Sequence, residues 1–413
     1  MVTLYSISIY CYSFLISIVG LFNKKARLWI KGRENWEANL LDKIGKGDSW
    51  IWFHCSSLGE FEDCCEVFFK IQKEYSTRKT ILTVFSPSAF EVLSTSNFFD
   101  VITYLPLDTK KNAIKFINIV KPKLILFSRS ELWLNFLLEA KKKGSSLFLV
   151  SLKLSKESYF IKWPFKTIYK KCFRCFTHIF CQNSDTQKLV NSSLNITNTS
   201  ITGNTRFERI FKQSQIDGTF HEIEKFAQNS LLVVIGSSLP KDEKIFLKIY
   251  NELKFLNIKW IIVPHEIEKT IIIKEINPYN LILYSSISKL NKGQDVLIID
   301  KVGILKHIYK YAKLALIGGG FDKIGIHNIL EPSVFGVQTA FGPNYRNYEE
   351  ANDLIKIGGA TIYRNSEELK DLIVNKLTNP INNEFQKKIK QYVKHNANNS
   401  SQIVDIIKLK HND

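Results

Sequence analysis

Two stretches of the sequence decide the fold: residues 50–62 read WIWFHCSSLGEFE, and residues 314–336 read LALIGGGFDKIGIHNILEPSVFG. Each begins with a short apolar run, continues through a turn that contains glycine, and ends at the beginning of a pattern typical of a helix. A buried strand followed by a turn and a helix is the repeating element of a doubly wound α/β domain. One stretch lies in each half of the chain, which predicts two such domains.

The same alternation of apolar runs and amphipathic stretches continues around both stretches. The runs predict strands at residues 50–54, 80–85, 101–104, 123–127, 147–151 and 179–182, and then at 231–235, 259–263, 281–284, 296–299, 314–317 and 337–341. Strands that alternate with helices form parallel sheets covered on both faces. We therefore predict an α/β protein with two Rossmann-like, doubly wound domains that face a cleft, with ligands at the carboxyl ends of the strands.

Length and composition agree with this organisation. The chain has 413 residues, of which 45% are hydrophobic and 23% are charged. These values suit two large globular domains and exclude disordered, fibrous and polytopic membrane proteins. The predicted divisions are an N-terminal anchor with its basic flank (1–35), a first domain (36–212), a linker (213–229), a second domain (230–381) and a helical tail (382–413).

The net charge of +18 suggests a polyanionic partner. Nucleic acid, an anionic membrane surface and a phosphorylated substrate all fit such an excess. The lysines and arginines are spread along the whole chain, and no RNA-binding signature is found among them. A nucleic-acid-binding protein is therefore the least favoured of the three interpretations.

The N-terminal segment at residues 2–22 carries no charged side chain, and it is followed by Lys24, Lys25, Arg27, Lys31 and Arg33. This length and this placement of charge predict a membrane-anchor helix with the rest of the chain on the cytoplasmic side. A buried or interfacial helix is the alternative.

Four metal-binding residue types follow one another at every third position, at Cys172, Cys175, His178 and Cys181. Zinc sites use such side chains. However, the segment changes from a basic helical pattern to a strand pattern at His178, and a single segment of this kind rarely closes a tetrahedral site. We predict that these cysteines are structural, that no metal is bound, and that the compartment is reducing, since the total of seven cysteines is odd.

The loop after the first predicted strand contains Ser57-Leu-Gly-Glu60. This spacing fits a capping box at a helix N-terminus, and a capping role is the more common one. A carboxylate at the rim of a parallel sheet can also act as a general base toward a hydroxyl group. Both interpretations of Glu60 stay open at this point.

The second candidate site follows the predicted strand at 314–317. Gly318, Gly319 and Gly320 allow a close approach of the backbone, and a helix predicted from about Asn328 would direct its free N–H groups toward a phosphate. His327 could donate a hydrogen bond to a phosphate or a carboxylate. Glu331 could accept from ribose hydroxyls or cap the helix together with Asn328. The combination is typical of a nucleotide-sugar site.

Other loops after predicted strands add candidates for the same ligand. They are Gly236 and Ser237 in a turn that could face phosphate, Pro264 and His265 where the backbone could contact a base, Arg206 at the domain junction, and Asn347 after a later strand.

These residues together resemble the 3-deoxy-D-manno-octulosonic acid (Kdo) transferase family of lipopolysaccharide synthesis. The resemblance covers nearly the whole chain in order. Its matching stretches are WIWFHCSSLGEFE (50–62), SELW (130–133), ITGNTRFER (201–209), VIGSS (234–238), IIVPHE (261–266), the run from 296 to 336, and FGPNYRNYEEANDLIKIGGA (341–360).

The resemblance implies a GT-B glycosyltransferase that takes Kdo from CMP-Kdo in its second domain. The acceptor implied is a lipid A precursor, lipid IVA, bound mainly by the first domain at the cytoplasmic face of the inner membrane. It also implies that Kdo is transferred to the 6′-hydroxyl of the acceptor with inversion at the anomeric carbon. Glu60 is the implied base, Glu131 is a second functional acid, and no cofactor is implied. The chain departs from the family at Arg129, where many members carry an acid.

One alternative keeps the fold and changes the substrate, to another GT-B transferase or an epimerase that acts on a UDP-sugar. The nucleotide that protects the protein would distinguish the two readings.

Overall fold

The computed structural model describes residues 2–45, 49–129, 131–216, 218–228, 230–323, 325–379 and 383–411. Its strands form two parallel sheets of seven strands each. The first sheet has the order β3-β2-β1-β4-β5-β6-β7, and the second has the order β10-β11-β9-β8-β12-β13-β14. The strands are β1 Trp50–Cys55, β2 Lys79–Val84, β3 Val101–Tyr104, β4 Leu124–Ser128, β5 Ser146–Leu152, β6 His178–Cys181, β7 Thr199–Ile201, β8 Leu231–Ser238, β9 Ile258–Pro264, β10 Leu281–Leu283, β11 Val296–Ile298, β12 Leu314–Ile317, β13 Gln338–Phe341 and β14 Ala360–Ile362.

Helices connect the strands and cover the sheets. In chain order they are α1 Val2–Gly20, α2 Lys24–Lys31, α3 Trp36–Lys43, α4 Leu58–Glu74, α5 Pro87–Leu93, α6 Lys110–Val120, α7 Leu134–Lys142, α8 Lys166–Phe173, α9 Ser184–Leu194, α10 Arg206–Ser214, α11 His221–Ala227, α12 Pro240–Tyr250, α13 Ile272–Glu275, α14 Leu305–Ile308, α15 Leu330–Ser333, α16 Glu349–Lys356, α17 Ser366–Thr378, α18 Asn383–His395 and α19 Asn399–Lys410.

The prediction of two parallel α/β sheets is confirmed, and each of the twelve predicted strands has a counterpart. The two strands that the sequence did not predict, β7 and β14, are edge strands of three residues. An edge strand has one bonded neighbour and little buried surface, so it needs no long apolar run and leaves no clear pattern.

Both sheets are buried on both faces, as parallel sheets must be. In β1, Trp50 and Trp52 join one hydrophobic cluster, while Ile51 and Phe53 join another on the opposite face. All six residues of this strand are buried. The continuous apolar run WIWF therefore reflects two cores that share one strand.

The chain divides into an N-terminal unit, Met1–Arg209 with Asn396–Asp413, and a C-terminal unit, Ile210–His395. The first division falls within α10. The segment predicted as a linker contains α11, which adds Ile223 and Phe226 to the core of the C-terminal unit. The predicted boundaries at residues 229, 381 and 382 lie outside the described residues.

The segment predicted as a tail is divided between the two units. α18 belongs to the C-terminal unit, whereas α19 packs against α4 in the N-terminal unit. Ile403, Val404 and Ile407 of α19 lie in the same hydrophobic cluster as Phe61 and Phe68 of α4. The C-terminal helix is therefore part of the N-terminal core.

The structure does not support the predicted N-terminal membrane anchor. Residues 2–20 do form a helix, but no helix in the described part of the chain is both long and apolar enough to cross a bilayer. The four serines and three tyrosines of α1 make this helix less apolar. α1 instead packs on the N-terminal unit, where the Tyr5 hydroxyl donates to Asp108 Oδ2 (2.5 Å) and Ile9 is buried.

Arg33, in the segment predicted as a basic flank, is a structural residue. Its guanidinium lies over the rings of Trp29 (4.0 Å), Phe85 (4.8 Å) and Tyr104 (4.9 Å). It donates to the backbone oxygens of Leu105 and Phe85, each at 2.9 Å. Burial lowers the pKa of Arg33 to about 9. Cation–π contacts and charge-assisted hydrogen bonds offset part of this desolvation and fix the chain after α2.

We expect Ile407→Ala to destabilise the N-terminal unit by about 2–5 kcal/mol, because it removes a fully buried side chain from the cluster shared with α4. Leu409→Ala is the matched control, since Leu409 is 83% exposed. Urea unfolding of both variants, followed by circular dichroism, measures the difference. Equal midpoints for the two variants would show that α19 adds nothing to this core.

Candidate active site

The site in the N-terminal unit lies where β1 and β4 are neighbours in the sheet. The chain leaves β1 toward β2 on one side of the sheet and continues from β4 toward β5 on the other. Such a switch point opens a crevice at the carboxyl ends of the strands. Glu60 follows β1 and Glu131 follows β4, so the fold brings both predicted acids to this crevice.

Glu60 occupies the third position of α4, and its contacts support both of the roles considered for it. Its backbone N–H donates to Ser57 Oγ (3.3 Å), and Ser57 is the N-cap residue. Its carboxylate oxygen Oε2 accepts from the backbone N–H of Ser56 (2.7 Å) and from Ser128 Oγ (3.4 Å). The capping box is therefore half formed: Ser57 caps α4, whereas the Glu60 carboxylate binds the residue before the N-cap and stays at the rim of the sheet.

The surroundings of Glu60 make it a base that can work at neutral pH. Burial, followed by the negative charge of Glu131, raises the pKa of Glu60 to about 7. The hydrogen bond from Ser56 and the positive charge of Arg129 oppose this rise without cancelling it. General bases work best when their pKa lies near the working pH.

Glu131 is held by a buried polar network that the sequence did not predict. The indole N–H of Trp133 lies 3.0 Å from His54 Nε2 and 3.1 Å from Glu131 Oε2. His54 Nδ1 lies 3.1 Å from the carbonyl oxygen of Thr83, which only accepts. This contact assigns the proton to Nδ1, so that Nε2 accepts from Trp133. The sequence signal for His54 was a histidine inside an otherwise apolar strand.

Arg206, predicted to bind the donor, lies in the N-terminal unit and binds Asp63 of α4. Arg206 Nε donates to Asp63 Oδ1 (2.7 Å), and Arg129 contacts the other carboxylate oxygen. Burial alone would raise the pKa of Asp63, but the charges of Arg206 and Arg129 outweigh it and hold the pKa below its usual value. Arg129, the departure from the family pattern, is therefore one of two partners of a buried carboxylate.

The C-terminal unit has an equivalent switch point between β8 and β12, where Gly236 and the glycine triplet lie. The glycines are required by neighbouring backbone and side chains. A Cβ on Gly318 would lie 2.2 Å from the Ser237 carbonyl oxygen, and one on Gly320 would lie 2.5 Å from the Gly342 nitrogen. Gly319 has a positive φ of 90°. The close approach predicted toward a ligand therefore exists between the loops themselves.

Asp242 holds these loops together, a role that the sequence analysis did not predict. Its Oδ2 accepts from the backbone N–H groups of Gly319 and Leu239, both at 2.9 Å. Burial raises the pKa of Asp242 to about 6. The carboxylate thus fixes the triplet against the beginning of α12.

His265 and His327 are brought together although they are distant in sequence. Their rings stack with centroids 4.7 Å apart, and the backbone N–H of His265 donates to the Ser238 carbonyl oxygen (2.9 Å). The backbone N–H of His327 donates to the Gly318 carbonyl oxygen (3.0 Å). Burial, and then His265, lower the pKa of His327, which favours its neutral form. Pro264, the last residue of β9, lies at the same edge of the sheet.

The helix predicted from about Asn328 is a single turn, Leu330–Ser333. Asn328 Oδ1 accepts from Leu330 N–H (3.1 Å), and its amide donates to Glu331 Oε1 (3.1 Å). Beyond the turn, the backbone N–H of Gly336, a residue with φ of 77°, donates to the Ser333 carbonyl oxygen (2.9 Å). The helix is therefore shorter than predicted, and the binding of a phosphate by its N–H groups stays a prediction.

Asn347 lines a cavity of about 490 Å³ at the carboxyl end of β13. The other lining residues include two cations, Lys323 and Arg346, together with Gly325, Pro343, Asn344 and Tyr348. A basic cavity beside the glycine loops suits an anionic ligand.

The cysteine cluster does not form a metal site within the described part of the chain. Cys172, Cys175 and Cys181 are buried thiols, and His178 Nε2 lies 2.8 Å from Ser200 Oγ. No group of three metal-binding side chains converges among the described residues.

Comparisons with known proteins were made for the sequence and for the fold. Residues 27–209 match the family described as 3-deoxy-D-manno-octulosonic-acid transferase (kdotransferase). A 3-deoxy-D-manno-octulosonic acid transferase of Chlamydophila psittaci is 30% identical over 318 residues, which cover 74% of this chain and 72% of that protein. A transferase of the same name from Aquifex aeolicus is 26% identical over 79% of this chain and 85% of that protein.

Among solved structures, the UDP-GlcNAc 2-epimerase of Neisseria meningitidis superposes with a TM-score of 0.62. The match covers 87% of this chain and 100% of the epimerase at 15% identity. At that identity the likeness shows a shared GT-B-like fold only.

The raised pKa of Glu60 predicts a dependence of stability on pH. The folded protein binds this proton more tightly than the unfolded chain, so the contribution of Glu60 to stability is lost as the pH rises through about 7. Relative to wild type, Glu60→Gln should gain up to about 3 kcal/mol between roughly pH 5 and pH 8. Urea unfolding at the two pH values measures this gain. Glu62→Gln, on the same turn, is the control, and equal pH profiles for wild type and Glu60→Gln would contradict the expectation.

Proposed function

Because the chain belongs to the 3-deoxy-D-manno-octulosonic acid (Kdo) transferase family, we propose that it transfers Kdo from CMP-Kdo to the 6′-hydroxyl of a lipid A precursor, lipid IVA. Family membership makes it a glycosyltransferase of lipopolysaccharide synthesis. The nucleotide of the donor, the acceptor and the inverting stereochemistry are the parts that we propose.

The observation that carries the proposal is the pair of carboxylates at the first switch point. Glu60 combines a position at the rim of the sheet with a pKa of about 7, and Glu131 contributes to that value. A sugar hydroxyl bound in this crevice would meet a base that is half ionised near neutral pH. The carboxylate that binds the backbone N–H of Ser56 then also serves as the base.

The reaction follows from this placement. Glu60 accepts the proton of the acceptor hydroxyl as its oxygen attacks the anomeric carbon of Kdo. The bond from that carbon to the CMP phosphate oxygen breaks, its electron pair leaves with the phosphate, and the configuration inverts. Trp133 holds Glu131 through the hydrogen bond to its carboxylate, which keeps a second negative charge beside Glu60. No metal and no cofactor enters these steps.

We propose the donor site in the C-terminal unit, where the predicted residues Gly236, Ser237, Pro264, His265, Gly318, Gly319, Gly320, His327, Asn328, Glu331 and Asn347 follow the strands. The cations Lys323 and Arg346 beside Asn347 suit the phosphate and the carboxylate of CMP-Kdo. Arg206 binds Asp63 in the N-terminal unit, and its contact with the donor stays a prediction.

A UDP-sugar transferase or epimerase remains the second candidate because the fold is shared with an epimerase. Titration with CMP and UDP distinguishes the two candidate functions, because an enzyme that uses CMP-Kdo would bind CMP more tightly than UDP.

We propose that the protein works at the cytoplasmic face of the inner membrane, where a lipid acceptor would be reached. The outer side of α1 exposes Phe14, Leu15 and Val19, and Phe22 follows it. The basic residues Lys24 and Lys25 begin α2. Apolar side chains next to lysines suit contact with an anionic lipid surface.

We expect Glu60→Gln to lower the rate of Kdo transfer by about 10²–10⁴-fold, because an amide cannot accept the proton. CMP affinity should not change, since Glu60 lies in the N-terminal unit. Transfer is measured by mass spectrometry with lipid IVA, Kdo, CTP and a CMP-Kdo synthetase. Glu62→Gln should stay active, and a folded Glu60→Gln enzyme that retains more than a tenth of the activity would make Glu60 only a cap.

We expect His327→Ala and Glu331→Ala to weaken CMP binding roughly 10- to 150-fold, through the loss of a hydrogen bond to a charged or polar group. His221→Ala is the control, because its side chain is 86% exposed in the same unit. Calorimetric titration with CMP gives the affinities, and thermal melting confirms folding. Unchanged affinity in both folded variants would place the donor elsewhere.

A further inference from the structure

A cavity of about 580 Å³ lies in the N-terminal unit, and its walls are mostly apolar. Tyr5, Ile9 and Tyr12 of α1 form one side, and Phe160, Ile168 and Tyr169 form another. Its volume is within the range of about 300–1,000 Å³ that is usual for small-molecule sites.

The walls of this cavity are held in place by contacts to the rest of the unit. Tyr5 donates to Asp108 Oδ2, and Asp108 is itself fixed by the backbone N–H groups of Asn135 (3.2 Å) and Phe136 (3.1 Å). On the other side, the rings of Phe160 and Tyr169 pack edge to face at 4.6 Å. Both sides of the cavity, including the side formed by α1, are therefore fixed by contacts within the unit.

One end of the cavity reaches the carboxylate pair. Glu131 and Trp133 line it, and they belong to the network that includes His54. Glu131 is also the charge that raises the pKa of Glu60. A ligand in the cavity would thus extend directly from the crevice in which the base lies.

The composition of the lining selects the class of ligand. Glu131 is the one charged side chain among the lining residues that the structure describes. A free sugar would need several convergent polar groups, whereas a hydrocarbon chain needs apolar walls. Beside the cavity, α8 carries Lys166, Lys170 and Lys171 and no acid, which suits a phosphate on the same ligand.

We propose that this cavity binds one acyl chain of the phosphorylated lipid acceptor and so sets the position of its sugar at Glu60. The inference rests on the proposed function and adds to it the part of the acceptor that is recognised. Two further lining residues, Tyr159 and Phe165, are about half exposed, as expected where a chain enters from a lipid surface.

The test uses the full-length protein and a tryptophan placed in each wall. Ile168→Trp and Ser8→Trp fill the cavity from opposite sides, and Thr167→Trp is the matched control because Thr167 is exposed and outside the lining. Binding of the fluorescent fatty acid cis-parinaric acid should weaken about tenfold or more in both wall variants and stay unchanged in the control. Ser8 is exposed on α1, so its variant tests the cavity even if Ile168→Trp fails to fold.

A second measurement compares transfer to lipid IVA with transfer to its deacylated bisphosphorylated disaccharide. We expect the wall variants to raise the KM for lipid IVA about tenfold more than the KM for the deacylated acceptor. Equal changes for both acceptors, or parinarate binding that no wall variant weakens, would overturn the inference. If neither acceptor is used while parinarate binding is lost in the wall variants, the proposed function fails and the acyl site stands.

Vesicles of phosphatidylethanolamine and phosphatidylglycerol separate acyl binding from membrane contact. Ile168→Trp should bind these vesicles as wild type does, because Ile168 lies on α8 and its replacement leaves the exposed side of α1 unchanged. Loss of vesicle binding in parallel with loss of parinarate binding would assign the cavity to the membrane surface and overturn the inference.

Discussion

In a doubly wound parallel sheet, the order in which the strands are added reverses at one place, and the rest of this molecule depends on that constraint. At the switch point between β1 and β4, the connections leave to opposite sides, so no helix crosses the carboxyl ends of these two strands. Glu60 and Glu131 occupy the resulting crevice. The C-terminal unit repeats the arrangement with β8 and β12 and places glycines there. The two units thus offer equivalent openings with different chemistry.

The crevice in the N-terminal unit is costly to form, because it holds two carboxylates in a partly buried place. Burial and mutual repulsion raise the pKa of Glu60, which means that the ionised form is destabilised. The backbone N–H of Ser56 and the charge of Arg129 limit the cost. The raised pKa of Glu60 reduces the stability of the folded protein at higher pH and also provides a base of suitable strength. One side chain therefore affects both stability and reactivity.

In the C-terminal unit, the glycines act first on the protein itself. Gly318 and Gly320 let the loops after β8, β12 and β13 touch through their backbones, with Asp242 as the acceptor that joins them. The stacked rings of His265 and His327 lie beside these loops. A preformed loop cluster of this kind loses little conformational entropy when a ligand binds.

The sequence by itself determined the alternation of strands and helices, because burial on both faces requires continuous apolar runs such as WIWF. It also determined the helix cap at Ser57, since an N-cap residue and its partner three residues later form a local pattern. Only the tertiary structure decided that α19 completes the N-terminal core, that Arg206 binds Asp63, and that Trp133 joins His54 to Glu131. These contacts join residues far apart in the chain, and no local periodicity records a partner that only folding brings near.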